Sequence, residues 1–344
     1  MSPTLQPEIA RAVTNRGLKL IINSSEQCNL RCVYCYESFS VGHMKLELAK
    51  GIVNLIRKRV EDGLEWLEID FFGGEPLGAW NTVEYLSATI HEICQKHGVV
   101  FIGGMTTNAT LLHQDRFEWL VQNGISGFQI TLDGPREIHD VRRVSLHKMG
   151  SFDVIWQRLA MIKASNFPGV DVVIRVHFDA DSLPVLIGQS GFIDTVIETF
   201  LRHDHRFRLH FNPIEKWGAG SAEGIRYFAS RRDALAAREK ILACVSRAGL
   251  GPNQVPQLQK GTEVGESGHT VCYAARANAF VIRADGGVSK CTIAFDDDRN
   301  VVGRITSEGE LIINHEVHTP WMRGLVSGDA SALACPAKGH IWPV

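Results

Sequence analysis

Apolar residues recur along the chain in two alternating patterns from about residue 18 onward. Short apolar runs such as GLKLIINSS at 17–25 are typical of strands buried in a sheet. Between such runs, apolar residues recur every four positions, as Leu48, Ile52, Ile56 and Val60 do, which predicts one face of a helix. The predicted strands are 17–25, 64–72, 99–107, 127–134, 170–178 and 206–214, and the predicted helices are 44–63, 83–98, 111–124, 151–166 and 228–249.

Strand–helix units in series predict a parallel sheet, because each helix returns the chain to start the next strand in the same direction. Six such units predict an α/β fold of the partial (β/α)6 TIM-barrel type, with functional residues at the carboxyl ends of the strands. Cys28, Gly73, Asn108 and Asp133 follow the first four strands, so we expect them at one rim. Ser151 is expected to cap the helix that begins there.

The pattern changes after about residue 250. The segment 251–269 is polar and glycine-rich, as linkers are, and ANAFVIRADGGVSKCTIAF predicts a hairpin that turns at Asp285-Gly286. Simple pairing across that turn would place Cys291 opposite Phe280. We therefore expect an N-terminal extension at 1–17, a barrel at 18–227, and a linking helix with a small C-terminal module at 228–344.

Composition narrows the functional classes without naming one. The 344 residues are 44% hydrophobic and 22% charged, with a net charge of −2, which gives no electrostatic preference for nucleic acid or a membrane surface. We expect no transmembrane helix, and the first residues lack the apolar centre of a signal peptide. A cytoplasmic protein keeps its thiols reduced, so clustered cysteines there are more typical of metal ligands than of disulfides.

Three of the eight cysteines lie within eight positions, in the stretch EQCNLRCVYCYE. Cys28, Cys32 and Cys35 are separated by three and then two residues. Thiolates suit iron–sulfur clusters and zinc, and a [4Fe–4S] cluster held by three of them keeps one iron open to another ligand. The alternative is a zinc site or unligated thiols, although a structural zinc site needs four ligands and no second pair lies nearby.

This stretch resembles the signature of the radical S-adenosylmethionine (SAM) enzymes, in which an aromatic residue, here Tyr34, precedes the third cysteine. The resemblance implies that the three thiolates hold a [4Fe–4S] cluster and that SAM binds the open iron. It further implies that one electron cleaves SAM, and that the 5′-deoxyadenosyl radical abstracts a hydrogen atom from the substrate. The protein's part in such chemistry is to bind and orient the cofactor and to exclude solvent.

Two further stretches extend the resemblance. Gly73, Gly74, Glu75 and Pro76 match the family's GGEP stretch, which contacts the amino group of SAM; the alternative is an ordinary strand-to-helix turn. Residues 106–110, TTNAT, resemble the family's TNGT stretch and imply roles for Thr107 and Asn108 at the cofactor. Ala109 departs from the usual glycine, and a positive φ there would cost about 1 kcal/mol.

A fourth stretch resembles the SLDGP and HD..R pattern of one branch of the family. It implies that Thr131, Asp133 and Arg143 reach polar groups of SAM, because an arginine binds a carboxylate through two parallel bonds. The alternatives are a turn-forming acid at Asp133 and a solvated charge at Arg143. His177 on the fifth strand is either a cofactor or substrate contact or a hydrogen-bonded core histidine.

The C-terminal cysteines resemble the auxiliary-cluster module called SPASM, or its shorter relative, twitch. Cys272 is followed by thirteen residues, then Gly286, four residues and Cys291, and only Cys335 remains where the full module has a dense cysteine run. The resemblance implies one auxiliary [4Fe–4S] cluster on Cys272, Cys291 and Cys335, with His340 a candidate fourth ligand. The alternative is zinc or unligated thiols.

Two cysteines lie on predicted helices. Cys94 shares a face with Ile90 and Ile93, which is typical of a buried inert thiol. Cys244 lies among apolar positions and is either a core residue or, if it faces the cavity, a catalytic donor that returns a hydrogen atom to a substrate radical.

The branch that the motifs resemble implies a maturase of ribosomally made peptides, which crosslinks, epimerises or oxidises its substrate. A precursor peptide and a reducing partner such as flavodoxin or ferredoxin are the implied partners. Only about seventeen residues precede the first strand, so we expect no fused leader-binding domain. The alternatives are an epimerase or dehydratase acting on a sugar, nucleoside or other small metabolite, and a non-catalytic metal-binding protein.

Overall fold

Strands and helices alternate from residue 17 to residue 213, as the apolar pattern predicts. The computed structural model describes residues 6–188, 191–216, 224–250, 253–254 and 271–342. The predicted linker at 251–269 lies outside these residues except for Asn253 and Gln254. None of the helices in the described ranges combines the length and the apolar character that crossing a membrane requires.

The strands in the described ranges are, in chain order, β1 (Gly17–Ser25), β2 (Leu30–Cys32), β3 (Trp66–Gly73), β4 (Val100–Thr107), β5 (Ile125–Thr131), β6 (Arg143–Ser145), β7 (Asp171–Phe178), β8 (Phe207–Pro213), β9 (Ala279–Ile282), β10 (Gly287–Ser289), β11 (Val301–Ile305) and β12 (Leu311–Ile313).

The α-helices in these ranges are α1 (Gln6–Val13), α2 (Leu46–Glu61), α3 (Trp80–His97), α4 (Gln114–Gln122), α5 (Arg136–Arg142), α6 (Phe152–Ala164), α7 (Leu183–Ile187), α8 (Phe192–Val196), α9 (Arg231–Arg247), α10 (His315–His318), α11 (Arg323–Ser327) and α12 (Ala330–Ala334).

The chain divides into two compact units. Unit 1 comprises Met1–Gln27, Glu37–Gly104 and Leu258–Val344, and unit 2 comprises Cys28–Tyr36 and Met105–Gln257.

In unit 1, β1 is paired along both edges by parallel strands. One neighbour is β3, with Leu20 opposite Ile69, and the other is β9, with Leu20 opposite Phe280. Every residue of β1 and of β9 is buried, which explains why both strands are placed inside the sheet rather than at its edge. The C-terminal hairpin, expected in a separate module, adds strands to the sheet of β1.

The predicted hairpin turn at Asp285-Gly286 is present. Gly286 has a φ of +91°, a conformation that glycine adopts without strain, and the Asp285 carboxylate accepts a bond from the Gly287 N–H at 2.9 Å. In the antiparallel ladder Ser289 lies opposite Val281. That register is one residue away from the expected pairing of Cys291 with Phe280, which is therefore wrong.

In unit 2, β5, β7 and β8 form a parallel sheet with two chemically different faces. Along β7 the burial alternates, and Val172, Ile174, Val176 and Phe178 lie fully in the core. The residues between them include Arg175 and His177, on the opposite face. The sheet therefore presents a polar face on the side away from its packed helices.

One buried asparagine organises the loop that follows β10 in unit 1. The Asn300 Oδ1 accepts from the N–H groups of Lys290 at 3.1 Å and Cys291 at 2.8 Å, and its Nδ2 donates to the carbonyls of Cys291 at 2.8 Å and Ala294 at 2.9 Å. Asn300 is completely buried, so water cannot reach these four backbone groups and take over its hydrogen bonds.

We expect Asn300→Ala to lower the free energy of unfolding by about 3 kcal/mol, because it removes four hydrogen bonds; of their backbone partners, the Lys290 N–H keeps a bond to the Asn300 carbonyl at 3.3 Å. Asn314→Ala is the matched control. Asn314 is exposed and makes one capping bond to the Glu316 N–H at 3.1 Å, so its loss should cost about 1 kcal/mol. Chemical denaturation measures both values, and equal losses would contradict the organising role of Asn300.

Candidate functional site

The three-cysteine loop begins unit 2 and is held by bonds to its own sulfur and backbone. The Cys28 Sγ accepts from the Leu30 N–H at 3.3 Å and from the Asn108 Nδ2 at 3.6 Å, and the Cys35 N–H donates to the Cys32 carbonyl at 3.0 Å. All three thiols are half-buried. N–H donors directed at sulfur stabilise a thiolate, so the loop suits cluster ligation.

A short antiparallel pair ties this loop to the segment that carries Arg143. Strand β2 pairs with β6, and Cys32 lies opposite Arg143. Burial raises the pKa of the Cys32 thiol, and the positive charge of Arg143 opposes that rise. Each strand has only three residues, which is too short for the apolar pattern to predict.

The stretch after β4 keeps the backbone shape for which the related families use glycine. Ala109 has a φ of +61° and is fully buried, and its N–H donates to the Thr107 Oγ1 at 2.9 Å. The Asn108 Oδ1 accepts from the Thr110 N–H at 3.0 Å, while its Nδ2 also donates to the Asn29 Oδ1 at 2.9 Å. The loop therefore retains its conformation at a cost of about 1 kcal/mol in backbone strain.

Four of the predicted site residues come together around a buried carboxylate. The Asp133 Oδ1 accepts from the His177 N–H at 2.9 Å and lies 3.1 Å from the His177 Nδ1, and its Oδ2 accepts from the Tyr34 hydroxyl. The Arg143 Nη1 donates to the Tyr34 hydroxyl at 2.8 Å. We call these four residues the Asp133 network.

The charges in this network determine the protonation of Asp133. Burial alone would raise the pKa of this carboxyl group, but His177 and Arg143 hold it well below its usual range. Burial raises the pKa of Tyr34 far above its usual value. At neutral pH the network therefore contains a carboxylate, a neutral phenol and a guanidinium.

His139 stabilises the Asp133 network through a bond to the Asp133 backbone. Its Nδ1 accepts from the Asp133 N–H at 3.2 Å, and its Nε2 lies 3.0 Å from the Ser151 Oγ. Burial lowers the pKa of His139 to about 4, so the ring is neutral at pH 7 and can accept that bond. His139 thus fixes the turn on which Asp133 lies.

Ser151 occupies the N-cap position of α6, as expected, but its side chain makes no capping bond. The Ser151 hydroxyl donates to the Arg143 carbonyl at 2.9 Å, and the helix is capped instead by Asp140, whose Oδ1 accepts from the N–H groups of Ser151 at 2.8 Å and Phe152 at 2.9 Å. The cap comes from the preceding helix, so only the folded chain brings it into place.

The polar face of the unit 2 sheet holds one further predicted residue, Thr131, together with His177. Thr131, at the end of β5, lies in register with Arg175 on β7, and His177 lies in register with Asn212 on β8. Thr131 is almost fully buried, whereas the side chain of His177 keeps 16% of its surface exposed.

The predicted GGEP stretch lies in unit 1. Gly73 has a φ of +108°, and a Cβ there would lie 2.4 Å from the Ser25 carbonyl oxygen. The Gly74 N–H donates to that carbonyl at 2.9 Å, and the Glu75 N–H donates to the Gln27 carbonyl at 2.9 Å. Glu75 also accepts from the Leu77 N–H at 3.0 Å, which caps the short 3-10 helix that Pro76 begins.

A buried amide beside Gly73 fits a polar ligand. Asn23 on β1 is completely buried, and neither its Oδ1 nor its Nδ2 has a hydrogen-bond partner among the described residues. A Cβ on Gly73 would come within 3.3 Å of this side chain. Because an unsatisfied buried amide is costly, these residues fit a cofactor that carries both donors and acceptors.

The three C-terminal cysteines lie within electrostatic range of one another in unit 1. Burial, together with the nearby thiols Cys272 and Cys335, raises the pKa of Cys291 to about 12. In the described part of the chain, no three His, Cys, Asp or Glu side chains are placed to hold one metal ion. A four-iron cluster does not need such convergence, since each thiolate binds a different iron.

The surroundings of Cys291 include Tyr273, which the sequence did not single out. The Tyr273 hydroxyl bonds to Cys291, which lowers that thiol's pKa, and accepts from the Thr292 N–H at 2.9 Å. His340 packs edge-on against Trp321 with 5.4 Å between ring centroids, and its Nε2 is buried without a hydrogen-bond partner among the described residues. The position of Tyr273 directly after Cys272 is the sequence feature that could have pointed to it.

Glu26 is a second residue that the sequence did not single out. It is 1% exposed, and it accepts from the Arg283 Nε at 3.1 Å and from the Ala284 N–H at 3.2 Å. This buried ion pair fixes the loop of the C-terminal hairpin to the end of β1.

The two helical cysteines have different environments. Cys94 is 1% exposed, and burial raises its pKa to about 11, as expected of an inert core thiol. Cys244 is half-buried rather than buried, and its sulfur accepts from the Arg247 Nη2 at 3.1 Å.

Comparison with known proteins identifies the relatives of this chain. Residues 22–179 match the model of the Radical SAM superfamily. The cysteine-type anaerobic sulfatase-maturating enzyme of Clostridium novyi is 30% identical over 209 residues, which cover 58% of this chain and 51% of that enzyme. The GTP 3',8-cyclase of Moorella thermoacetica is 26% identical over 302 residues, covering 83% of each.

Among solved structures, native anSMEcpe with bound AdoMet and Kp18Cys peptide superimposes with a TM-score of 0.65 at 21% identity, covering 88% of this chain and 82% of that one. This likeness confirms the predicted α/β class with a parallel sheet in a partial (β/α)6 barrel. The chain spans about half the length of the first curated relatives that it matches.

We expect Gly73→Ala to lower the free energy of unfolding by at least about 2 kcal/mol. The new methyl group would meet the Ser25 carbonyl in a backbone conformation that L-residues rarely adopt. Gly78→Ala, five residues later, is the control, because a Cβ there meets nothing closer than 3.8 Å. Thermal and chemical denaturation compare the two variants, and equal stability would contradict the close approach at Gly73.

Proposed function

We propose that this chain, whose residues 22–179 match the model of the Radical SAM superfamily, modifies a ribosomally made peptide by hydrogen-atom abstraction. The observation that carries the proposal is the loop of Cys28, Cys32 and Cys35, held by N–H donors and paired with the segment of Arg143. Support for a peptide substrate comes from a relative named for sulfatase maturation and from the peptide bound in a structure of the same fold.

The match to this family implies SAM and a [4Fe–4S] cluster as cofactors. The thiolates of the three-cysteine loop would hold the cluster, and the residues after β4 and β5, in the same unit, would contact SAM. When bound, this pair supplies a 5′-deoxyadenosyl radical that abstracts a hydrogen atom from the substrate.

The residues of this chain orient the cofactor. Tyr34 and Asp133 hold the guanidinium of Arg143 in place, while its Nε remains buried without a hydrogen-bond partner among the described residues. That free donor suits the carboxylate of SAM. Paired glycines at 73–74 let the backbone approach an ammonium group closely. Asn23, beside Gly73, adds an unpaired amide donor and acceptor for the same ligand.

We assign residues 228–344 to a linking helix and a module that binds one auxiliary [4Fe–4S] cluster on Cys272, Cys291 and Cys335. The mutual influence of these thiols and the Tyr273 hydroxyl beside Cys291 support this assignment. The barrel would occupy residues 18–227, after an extension at 1–17. A precursor peptide and a small reductant such as flavodoxin or ferredoxin would be the partners.

A second candidate is a radical reaction on a small metabolite. The specific observation in its favour is the GTP cyclase, whose alignment covers 83% of both chains. Peptides encoded beside this gene and GTP itself are therefore the two substrates to compare.

We expect reconstitution with iron and sulfide, without oxygen, to give about eight irons per chain, from two four-iron clusters. Cys335→Ala should lower this to about four, because the auxiliary site loses one of three thiolates. Cys94→Ala, which removes a buried helical thiol, should keep about eight. An unchanged iron content in Cys335→Ala would contradict the proposed auxiliary cluster.

We expect the reduced protein to cleave SAM to 5′-deoxyadenosine and to change the mass of a peptide encoded beside its gene. Cys32→Ala should abolish both reactions, whereas Cys94→Ala should keep both within about twofold. Chromatography and mass spectrometry measure the products. Conversion of GTP with no change in any peptide would replace the peptide proposal with the second candidate.

A further inference from the structure

Arg175 places an uncompensated charge on the polar face of the unit 2 sheet. Its Nε is buried without a hydrogen-bond partner, and within the described ranges its terminal nitrogens form neither a hydrogen bond nor an ion pair. Its neighbours Ile174 and Val176 on β7 lie fully in the core, so Arg175 faces the other way. Arg175 lies outside the stretches that resemble radical SAM motifs.

The carboxylate within electrostatic range of Arg175 is already engaged. Asp133 raises the pKa of Arg175, but its Oδ1 accepts from the His177 N–H at 2.9 Å and its Oδ2 accepts from the Tyr34 hydroxyl. Burial outweighs this attraction and leaves the pKa of Arg175 lowered. Asp133 therefore does not neutralise the guanidinium.

Within the described ranges, the residues in register with Arg175, Thr131 on β5 and His210 on β8, add hydrogen-bonding groups but no carboxylate. His210 lies in register with Arg175 on β8, and its Nε2 is 3.3 Å from the Asn212 Oδ1. Burial, together with the charges of Arg175 and Arg238, lowers the pKa of His210 to about 3. The ring is therefore neutral at pH 7.

Burying the Arg175 Nε without an acceptor is costly, and no residue in the described ranges supplies one. An anionic group of a bound ligand would accept a hydrogen bond from this nitrogen and offset the cost of burying it. A guanidinium forms two parallel bonds to a carboxylate or a phosphate. One guanidinium with an unpaired Nε matches a single carboxylate better than the several charges of a nucleoside triphosphate.

We propose that Arg175 binds a carboxylate group of the substrate, an aspartate or glutamate side chain or the C-terminus of a peptide. The inference rests on the proposed function in taking a peptide as substrate. Thr131 and His210, its register neighbours on β5 and β8, flank this subsite.

The test compares two capped tripeptides, acetyl-Ala-Glu-Ala-amide and acetyl-Ala-Gln-Ala-amide, which differ in one carboxylate. Their dissociation constants for the reconstituted protein are measured by saturation-transfer NMR without oxygen. The wild type should prefer the Glu peptide by at least about tenfold, which corresponds to about 1.4 kcal/mol. Arg175→Gln should remove the preference, and Arg175→Lys should retain part of it, because lysine keeps the charge without the planar fork.

Arg208→Gln is the matched control, because Arg208 on β8 is already paired with Asp171 at 2.7 Å and should keep the full preference. A structural role for Arg175 would appear as a lower melting temperature in Arg175→Gln, whereas removing an unpaired charge should leave it equal or higher. If Arg175→Gln does not fold, Arg175→Lys decides the question through its reduced preference.

Three results would overturn the inference: no preference in the wild type, a preference that survives Arg175→Gln, or GTP binding that depends on Arg175 while peptide binding does not. Weaker SAM binding in Arg175→Gln with unchanged peptide binding would also overturn it, and would assign the residue to the cofactor. Failure of the wild type to cleave SAM would contradict the proposed function but leave the peptide comparison intact.

Discussion

The arrangement of unit 2 depends on the need to compensate one buried carboxylate. Asp133 is completely excluded from solvent, so its charge is tolerated only with donors on both oxygens. Those donors come from distant parts of the chain: Tyr34 from the cysteine loop and His177 from β7, with Arg143 from β6 bonded to Tyr34. One electrostatic requirement therefore brings together the loop that would hold a cluster and the sheet that would hold a substrate.

The elements that the sequence predicts correctly are those determined by local pattern. Strands β1, β3, β4, β5, β7 and β8 follow from apolar runs, and the turn at Gly286 follows from a glycine that can adopt positive φ. The residues missed depend on distant partners. Strands β2 and β6 have three residues each and form only because they meet, and Asp140 replaces Ser151 as a cap because α5 lies beside α6.

Backbone conformations that side chains disfavour occur in the stretches that resemble cofactor-binding motifs. Ala109 adopts φ of +61° in unit 2, and Gly73 adopts +108° in unit 1. Such conformations persist only when surrounding contacts fix them, and they are common where a chain must approach a ligand closely. The alanine was visible in the sequence as a departure from the usual glycine, but only the structure establishes that the loop keeps its shape.

The pairing of β1 with β9 makes the first strand of the sheet depend on residues about 260 positions later in the chain. While the polypeptide emerges from the ribosome, β1 can pair with β3 early, but its other edge stays open until the hairpin has been made. An open apolar edge invites pairing with other chains, and contacts so far apart form slowly. Nascent chains are therefore vulnerable to aggregation at this edge, which gives chaperones a specific interval in which to act.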